Sequence, residues 1–228
     1  MGSAISKFQT LIGEERRGAL GIYGIKPWFQ KQLQPLVKAL WNVHPDVLTW
    51  GALGVSLTAA AVLYGAADHP LYSLLAIPLL LGRLALNALD GMVAKQTGKA
   101  RAAGEVINEL SDRLSDVAIF LSFAFWPDIK VHLVLLAITA MLIVSYVGVL
   151  GKAVGAERVY DGVLGKADRM ILLMVACFVN GILPDRQLFG YSVFECMFVL
   201  FIPLASITLL QRLDKIFSLL SEQGRPRD

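Results

Sequence analysis

Six stretches of mostly apolar residues, near 46–66, 71–95, 103–126, 131–153, 167–184 and 190–212, dominate this chain of 228 residues. Each approaches the roughly 20 residues that a helix needs to cross a bilayer core of about 30 Å. The connections between them are short and rich in turn formers, such as Ala67-Asp68-His69-Pro70, Pro127-Asp128-Ile129-Lys130 and Pro184-Asp185-Arg186-Gln187. Lipid offers a peptide group no hydrogen-bond partner, so segments of this kind must satisfy their backbones internally, as helices. Composition agrees: 56% of residues are hydrophobic and 17% charged, with a mean hydropathy of +0.60, outside the range of soluble domains. The expected fold class is all-α, a six-helix transmembrane bundle with no room for a soluble domain.

Ahead of the first span, residues 27–41 alternate aromatic or aliphatic positions with Lys31 and Lys38. This pattern predicts an amphipathic helix lying in the head-group layer. The alternative is a basic juxtamembrane linker, since Pro35 would interrupt a long helix. The chain divides into an N-terminal segment, 1–44, a membrane domain, 45–213, and a tail, 214–228. The first 40 residues hold no continuous apolar core of the cleavable-signal type, so the first helix is expected to serve as its own insertion signal.

Lysine and arginine placement sets the orientation, because positive loops stay in the cytoplasm. Lys7, Arg16, Arg17, Lys26, Lys31 and Lys38 precede the first span; Lys95, Lys99 and Arg101 follow the second; Lys152, Arg158, Lys166 and Arg169 fall between the fourth and fifth; Arg212, Lys215, Arg225 and Arg227 close the chain. The other side has only Lys130 and Arg186. Both termini are therefore expected in the cytoplasm. A net charge of +3 is too small and too dispersed for nucleic-acid binding and fits contact with anionic lipid head groups. Cys177 and Cys196 sit in apolar runs without a partner and read as packing residues. His69 and His132 fall on the outer side, away from other ligating residues.

Against this apolar background, residues 87–116 carry a ladder of acids, amides and glycines. Ionisable groups inside a membrane are costly and mark functional sites. Asn87 and Asp90 lie one turn apart at the end of the second span, and Gly104, Asn108, Asp112 and Asp116 recur every four residues on one face of the third. Two such helices facing each other would gather Asn87, Asp90, Asn108 and Asp112 around one small volume, with Asp116 a turn deeper. Oxygen ligands of this kind suit Mg²⁺ or Mn²⁺ holding a phosphate. Gly91 and Gly104 leave bare backbone for a nucleotide or pyrophosphate, and Lys95, Lys99 and Arg101 add positive charge nearby. The competing reading has the aspartates pairing with Arg83, Arg113 and nearby lysines only to permit their burial. Arg158, Lys166 and Arg169 form a second basic group, either a pocket for an acceptor or head-group phosphate or a topological signal with lipid contact. Tyr160 and Asp161 in the same loop are candidates for hydroxyl recognition.

The spacing resembles the signature of the CDP-alcohol phosphotransferases: Asp-x-x-Asp-Gly-x-x-Ala-Arg, eight residues, then Gly-x-x-x-Asp-x-x-x-Asp. Asp90, Gly91, Ala94, Gly104 and Asp112 match it letter for letter, and Arg113 follows the last Asp as it often does in that family. His44-Pro45-Asp46-Val47-Leu48-Thr49 and Gly165-Lys166-Ala167-Asp168-Arg169 resemble further family segments, so the likeness covers nearly the whole chain. It implies transfer of a phosphatidyl or substituted phospho group from a CDP-linked donor, foremost CDP-diacylglycerol, to a small alcohol or polyol phosphate, with release of CMP. Carried over by position, Asn87, Asp90, Asn108 and Asp112 would surround Mg²⁺ or Mn²⁺, and Asp112 would take the proton of the attacking hydroxyl. Gly91, Ala94, Lys95 and Gly104 would meet the CDP moiety. Arg158, Lys166 and Arg169 would serve the acceptor. The family also implies a homodimer.

Three letters depart from the signature: Asn87 and Asn108 replace Asp, and Lys95 replaces Arg. The pattern is similar to a bacterial branch with the same asparagines, which implies a bacterial inner membrane. Each amide removes a negative charge, so the expectation is looser metal binding. The alternative is that Asp116 restores a charge from a turn deeper. The competing functions are a catalytically impaired relative acting as a lipid- or nucleotide-binding scaffold, and a transporter, which would require broken helices.

Overall fold

A computed structural model of the chain describes residues 26–156, 158–160, 162–184 and 186–223. Asp161, Asp185, the basic residues before Lys26 and those after Gln223 lie outside the described residues. The described residues form seven α-helices: α1 (Lys26–Ala39), α2 (Pro45–Gly65), α3 (Tyr72–Gln96), α4 (Ala102–Leu121), α5 (Val131–Ala153), α6 (Lys166–Ile182) and α7 (Val193–Gln223). A 3₁₀ turn (Ser122–Phe125) extends α4, and strands β1 (Gln187–Leu188) and β2 (Tyr191–Ser192) form a small hairpin before α7. Four helices, α2, α3, α5 and α7, are long and apolar enough to cross a membrane. Helix α4 interrupts its apolar residues with Glu105, Glu109, Asp112, Arg113 and Asp116, and α6 has 17 residues.

Helices α2 to α7 alternate in direction along the chain, which divides the bundle into two ends. At one end Phe120, Phe123, Phe194, Phe198 and Phe201 pack edge to face or tilted, at centroid separations of 4.5 to 6.0 Å. They belong to a core that draws on α2 to α7. Aromatic pairs of this geometry add to plain area burial. Trp126 closes this end, its Nε1 donating to the Leu63 carbonyl at 3.1 Å. The opposite end gathers the C-termini of α3, α5 and α7 and the N-termini of α2, α4 and α6, and it is polar. Helix α1 joins it there through Leu33 and Val37, one turn apart, which bury against Leu48, Leu89, Met92 and Val93.

Local chemistry sets the helix ends. The residue after the α3 C-cap is Gly98, at φ 68°, a left-handed conformation that glycine adopts without steric cost. The α6 N-terminus is closed by the Asp168 carboxylate, which accepts from the Gly165 N–H at 2.8 Å.

Three boundaries differ from the hydropathy reading. The third apolar stretch tightens into the 3₁₀ turn before Pro127 instead of continuing as one helix. The last begins at Val193, not 190, because Phe189 and Gly190 take positive φ and turn a hairpin. Ser192 and Glu195 then cap the helix reciprocally, with N–H to side-chain distances of 3.0 and 3.2 Å. Helix α7 also continues about three turns past 213, since Ile216 buries beside Val147 and Val159, with Leu213, Leu219 and Leu220 packed around it. Pro35 does not break α1, which runs through it.

Candidate active site

The polar end encloses a cavity of about 1370 Å³. Asn87, Asp90, Gly91, Ala94 and Lys95 line it from α3, and Gly104, Asn108 and Asp112 from α4. Lys166 and Arg169 reach it from α6, and Arg158 from the loop before. The candidate metal, nucleotide and acceptor residues therefore all border one space.

The carboxylates at its base are held individually. Asp90 Oδ2 accepts from Asn108 Nδ2 at 2.6 Å and from Thr49 Oγ1 at 2.9 Å. Ser111 Oγ in turn donates to the Thr49 carbonyl at 3.4 Å, so α2, α3 and α4 are locked together around Asp90. Asp112 Oδ1 accepts from Lys166 Nζ, and Arg113 Nη2 stands 3.9 Å from its other oxygen. Both aspartates are buried, at 4% and 6% exposure. Thr49 is a partner that the ladder alone does not reveal. Its signal is the three-residue step from Asp46, which places both on one face of α2 toward the cavity.

Asp116 lies elsewhere. It does not border the cavity but sits behind it, fully buried, among three arginines: Arg83 Nη2 at 2.5 Å, Arg169 Nη1 at 3.3 Å and Arg113 Nη1 at 3.8 Å. Arg83 Nη2 also reaches the Asp112 carbonyl at 3.4 Å, and its Nη1 meets Met170 Sδ at 2.9 Å. The charge of Asp116 is thus shared with three guanidiniums behind the cavity.

Several other basic residues around the cavity are paired too. Arg158 donates to Glu109 and stacks over the Tyr160 ring at 4.7 Å, while Arg113 Nη2 lies 3.3 Å from Glu109 and Nη1 donates to Ser145 Oγ. Lys152 bonds Glu105 at 2.6 Å, and Arg101 bonds Asp46.

Two glycines differ in what surrounds them. A Cβ on Gly91 would meet nothing within 4 Å, so it would project into the cavity; one on Gly104 would meet Arg101 Cγ at 3.4 Å and Asp46 Oδ1 at 3.6 Å. A Gly91→Val variant should therefore fold with unchanged or slightly raised thermal stability, as a helix-interior glycine is replaced. If the backbone there faces a nucleotide, its KM for the donor should rise about tenfold, a cost on the scale of overpacking a well-fitted site. A melting curve together with donor titration checks both halves.

The donor set fits a hard divalent cation. Two carboxylates, Asp90 and Asp112, and the amide oxygens of Asn87 and Asn108 border the same space, and Mg²⁺ is commonly held by one or two carboxylates plus waters and phosphate. Among the described residues no cluster of three His, Cys, Asp or Glu is poised around a metal, so such a cation depends on the amides or on substrate oxygens.

No family model matches the chain. Among curated proteins it is 37% identical over 153 residues to the inner membrane protein YnbA of Escherichia coli K12, covering 66% of this chain and 76% of that one. It is 27% identical over 172 residues to the phosphatidylinositol phosphate synthase of Corynebacterium glutamicum, covering 71% and 75%. The chain belongs to the CDP-alcohol phosphotransferase family. Like YnbA, it is an integral membrane protein. The fold is that of a crystal structure of Mycobacterium tuberculosis phosphatidylinositol phosphate synthase with CDP-DAG bound, at a TM-score of 0.68 and 21% identity, over 85% of this chain and 98% of that one. A second structure of that synthase, in complex with manganese and citrate, gives the same TM-score. In this CDP-alcohol phosphotransferase the family signature therefore falls on the two helix ends that form the cavity base.

Proposed function

We propose that the protein transfers a phosphatidyl, or other substituted phospho, group from a CDP-linked donor, foremost CDP-diacylglycerol, to an alcohol, releasing CMP. The observation that carries this reading is the convergence of Asp90 and Asp112 beneath the bare backbone of Gly91, in a cavity bordered by lysines and arginines. The acceptor oxygen forms a bond to the lipid-side phosphorus. The bond from that phosphorus to the bridging oxygen breaks, and CMP leaves with the bonding pair. The hydroxyl proton passes to the Asp112 carboxylate. Lys166, on the first turn of α6, holds Asp112 in place and offers an ammonium to phosphate oxygens. Gly91, Ala94, Lys95 and Gly104 form the surface for the nucleotide. Asn87, Asp90, Asn108 and Asp112 would hold Mg²⁺ or Mn²⁺, which when bound would neutralise the pyrophosphate.

In this reading α2 to α7 make the six-helix transmembrane bundle, and α1 lies in the head-group layer, with Trp28 exposed on it and Trp41 exposed just beyond its end. The basic residues at the cavity end place that end and both termini in the cytoplasm. Residues 45–213 are the membrane domain. The chain is proposed to pair as a homodimer, as the family resemblance implies.

A scaffold reading keeps one supporting observation, the replacement of two signature acids by Asn87 and Asn108. The two are separated by detergent-purified protein supplied with CDP-diacylglycerol, Mg²⁺ or Mn²⁺, and a panel of polyols, polyol phosphates, amino alcohols and serine. CMP release that chelation abolishes supports the enzyme; binding of the donor without CMP, whatever the acceptor and metal, would falsify it and favour the scaffold.

A further inference from the structure

Glu109 has no place in the family signature, yet it stands immediately behind the cavity wall. It is half-buried, at 20% side-chain exposure, and holds two cavity-lining arginines at once: Arg158 through Oε2, and Arg113, 3.3 Å from Oε1. Arg158 is further pinned over the Tyr160 ring, and Arg113 donates to Ser145. Three further arginines border the cavity: Arg212, which donates Nη1 to the Val144 carbonyl at 2.7 Å, Arg101, bonded to Asp46, and Arg169, beside Asp116. A phosphate monoester carries about −1.5 to −2 charges at neutral pH. Bringing one between Arg158 and Arg113 would set it beside the Glu109 carboxylate, and each of these two arginines would have to leave a partner to serve it. An uncharged hydroxyl compound is not repelled by that carboxylate and finds the Tyr160 hydroxyl at the cavity wall as a partner.

We infer that Glu109 is a positioning residue that sets acceptor choice: by neutralising Arg158 and Arg113 it makes the site select an alcohol without a phosphate group. The inference rests on the phosphotransferase reading, and it sets this chain apart from relatives whose names specify a phosphatidylinositol phosphate product. The role is indirect, through the two arginines.

The test compares wild type with Glu109→Gln, which keeps shape and removes the charge. CMP release is measured with glycerol against glycerol phosphate and inositol against inositol phosphate. Binding of inorganic phosphate to each folded protein is measured separately by calorimetry. Wild type should favour the unphosphorylated member of each pair. Glu109→Gln should shift the kcat/KM ratio toward the phosphorylated member by about tenfold or more, the scale of one partly desolvated charge contact, and should bind inorganic phosphate correspondingly tighter. Glu109→Asp, which restores the charge, should return the ratio toward wild type. A purely packing role for Glu109 would lower activity with both acceptors together and leave the ratio unmoved. Preference of wild type for phosphorylated acceptors, or an unmoved ratio in folded Glu109→Gln, overturns the inference. If no acceptor yields CMP, the phosphotransferase reading fails, and phosphate binding alone decides: tighter binding to Glu109→Gln supports the neutralising role, and equal binding overturns it.

Discussion

Asp112→Asn is expected to reduce CMP release by about a hundredfold to ten-thousandfold, the range over which removal of a general base acts, with little change in thermal stability. Asparagine fills the same volume and can still accept from Lys166 through its amide oxygen, so the contact that joins α4 to α6 persists. What is lost is a group able to take a proton. Asp90→Asn provides the contrast. Asp90 borders the same cavity but is tied to Thr49 and Asn108, and its proposed role is to hold the cation. Raised Mn²⁺ should recover part of the Asp90→Asn activity and little of the Asp112→Asn activity. Measuring CMP release against Mn²⁺ for both variants separates proton acceptance from metal holding. Recovery of Asp112→Asn to near wild-type rates at high Mn²⁺ would remove the base from Asp112 and leave it a ligand only.

The elements that hydropathy located were those whose apolar residues dominate a whole span: α2, α3 and α5 lie within a residue of their expected limits, and the few polar residues of α3 do not lower its average enough to hide it. The ladder was legible for a related reason. Four-residue steps on α4 survive any packing of the helix, so Gly104, Asn108 and Asp112 had to share a face. Hydropathy failed where a local device or an amphipathic pattern decides. The end of α7 carries Arg212, Asp214 and Lys215, which depress the window average, while Leu213, Ile216, Leu219 and Leu220 still recur at helical spacing and bury one side. Ser192 and Glu195 spell a capping box in the sequence, but the neighbouring Tyr191, Val193 and Phe194 read as more span. Thr49 and Glu109 were visible as letters without roles, for Asp90 and Arg158, which they meet, are 41 and 49 residues away; only the Glu109–Arg113 pair is encoded by local periodicity. Asp116 shows the same limit from the other side: its spacing puts it on the face of the ladder, and only the arrival of Arg83 and Arg169 from α3 and α6 draws it away from the cavity.

That arrangement makes Asp116→Ala the substitution with the largest expected cost to folding. Asp116 and Arg83 have no exposed side-chain surface, and Arg169 is 4% exposed. Removing the carboxylate leaves these guanidiniums, with Arg113, around a hole where their counter-ion was, and breaking a buried ion pair from one side costs about 3–5 kcal/mol. The cluster has little slack with which to absorb this. Among the described residues, the buried side-chain atoms without a hydrogen bond are Arg83 Nε, Arg113 Nε, Asp116 Oδ2 and Arg169 Nη1, all of them here. Activity should fall with stability, because Arg83 also bonds the Asp112 carbonyl and so helps fix the backbone that carries the proposed base. The comparison that tests this is Asp116→Leu combined with Arg83→Met, which removes a charge of each sign and refills the volume. The double variant should melt nearer to wild type than Asp116→Ala does, since exchanging a buried pair for apolar side chains is often close to neutral. It should still lose activity, as Arg83 no longer holds Asp112. Wild-type melting by Asp116→Ala would show that the three arginines find other partners, and would return Asp116 to candidacy as an auxiliary group of the site.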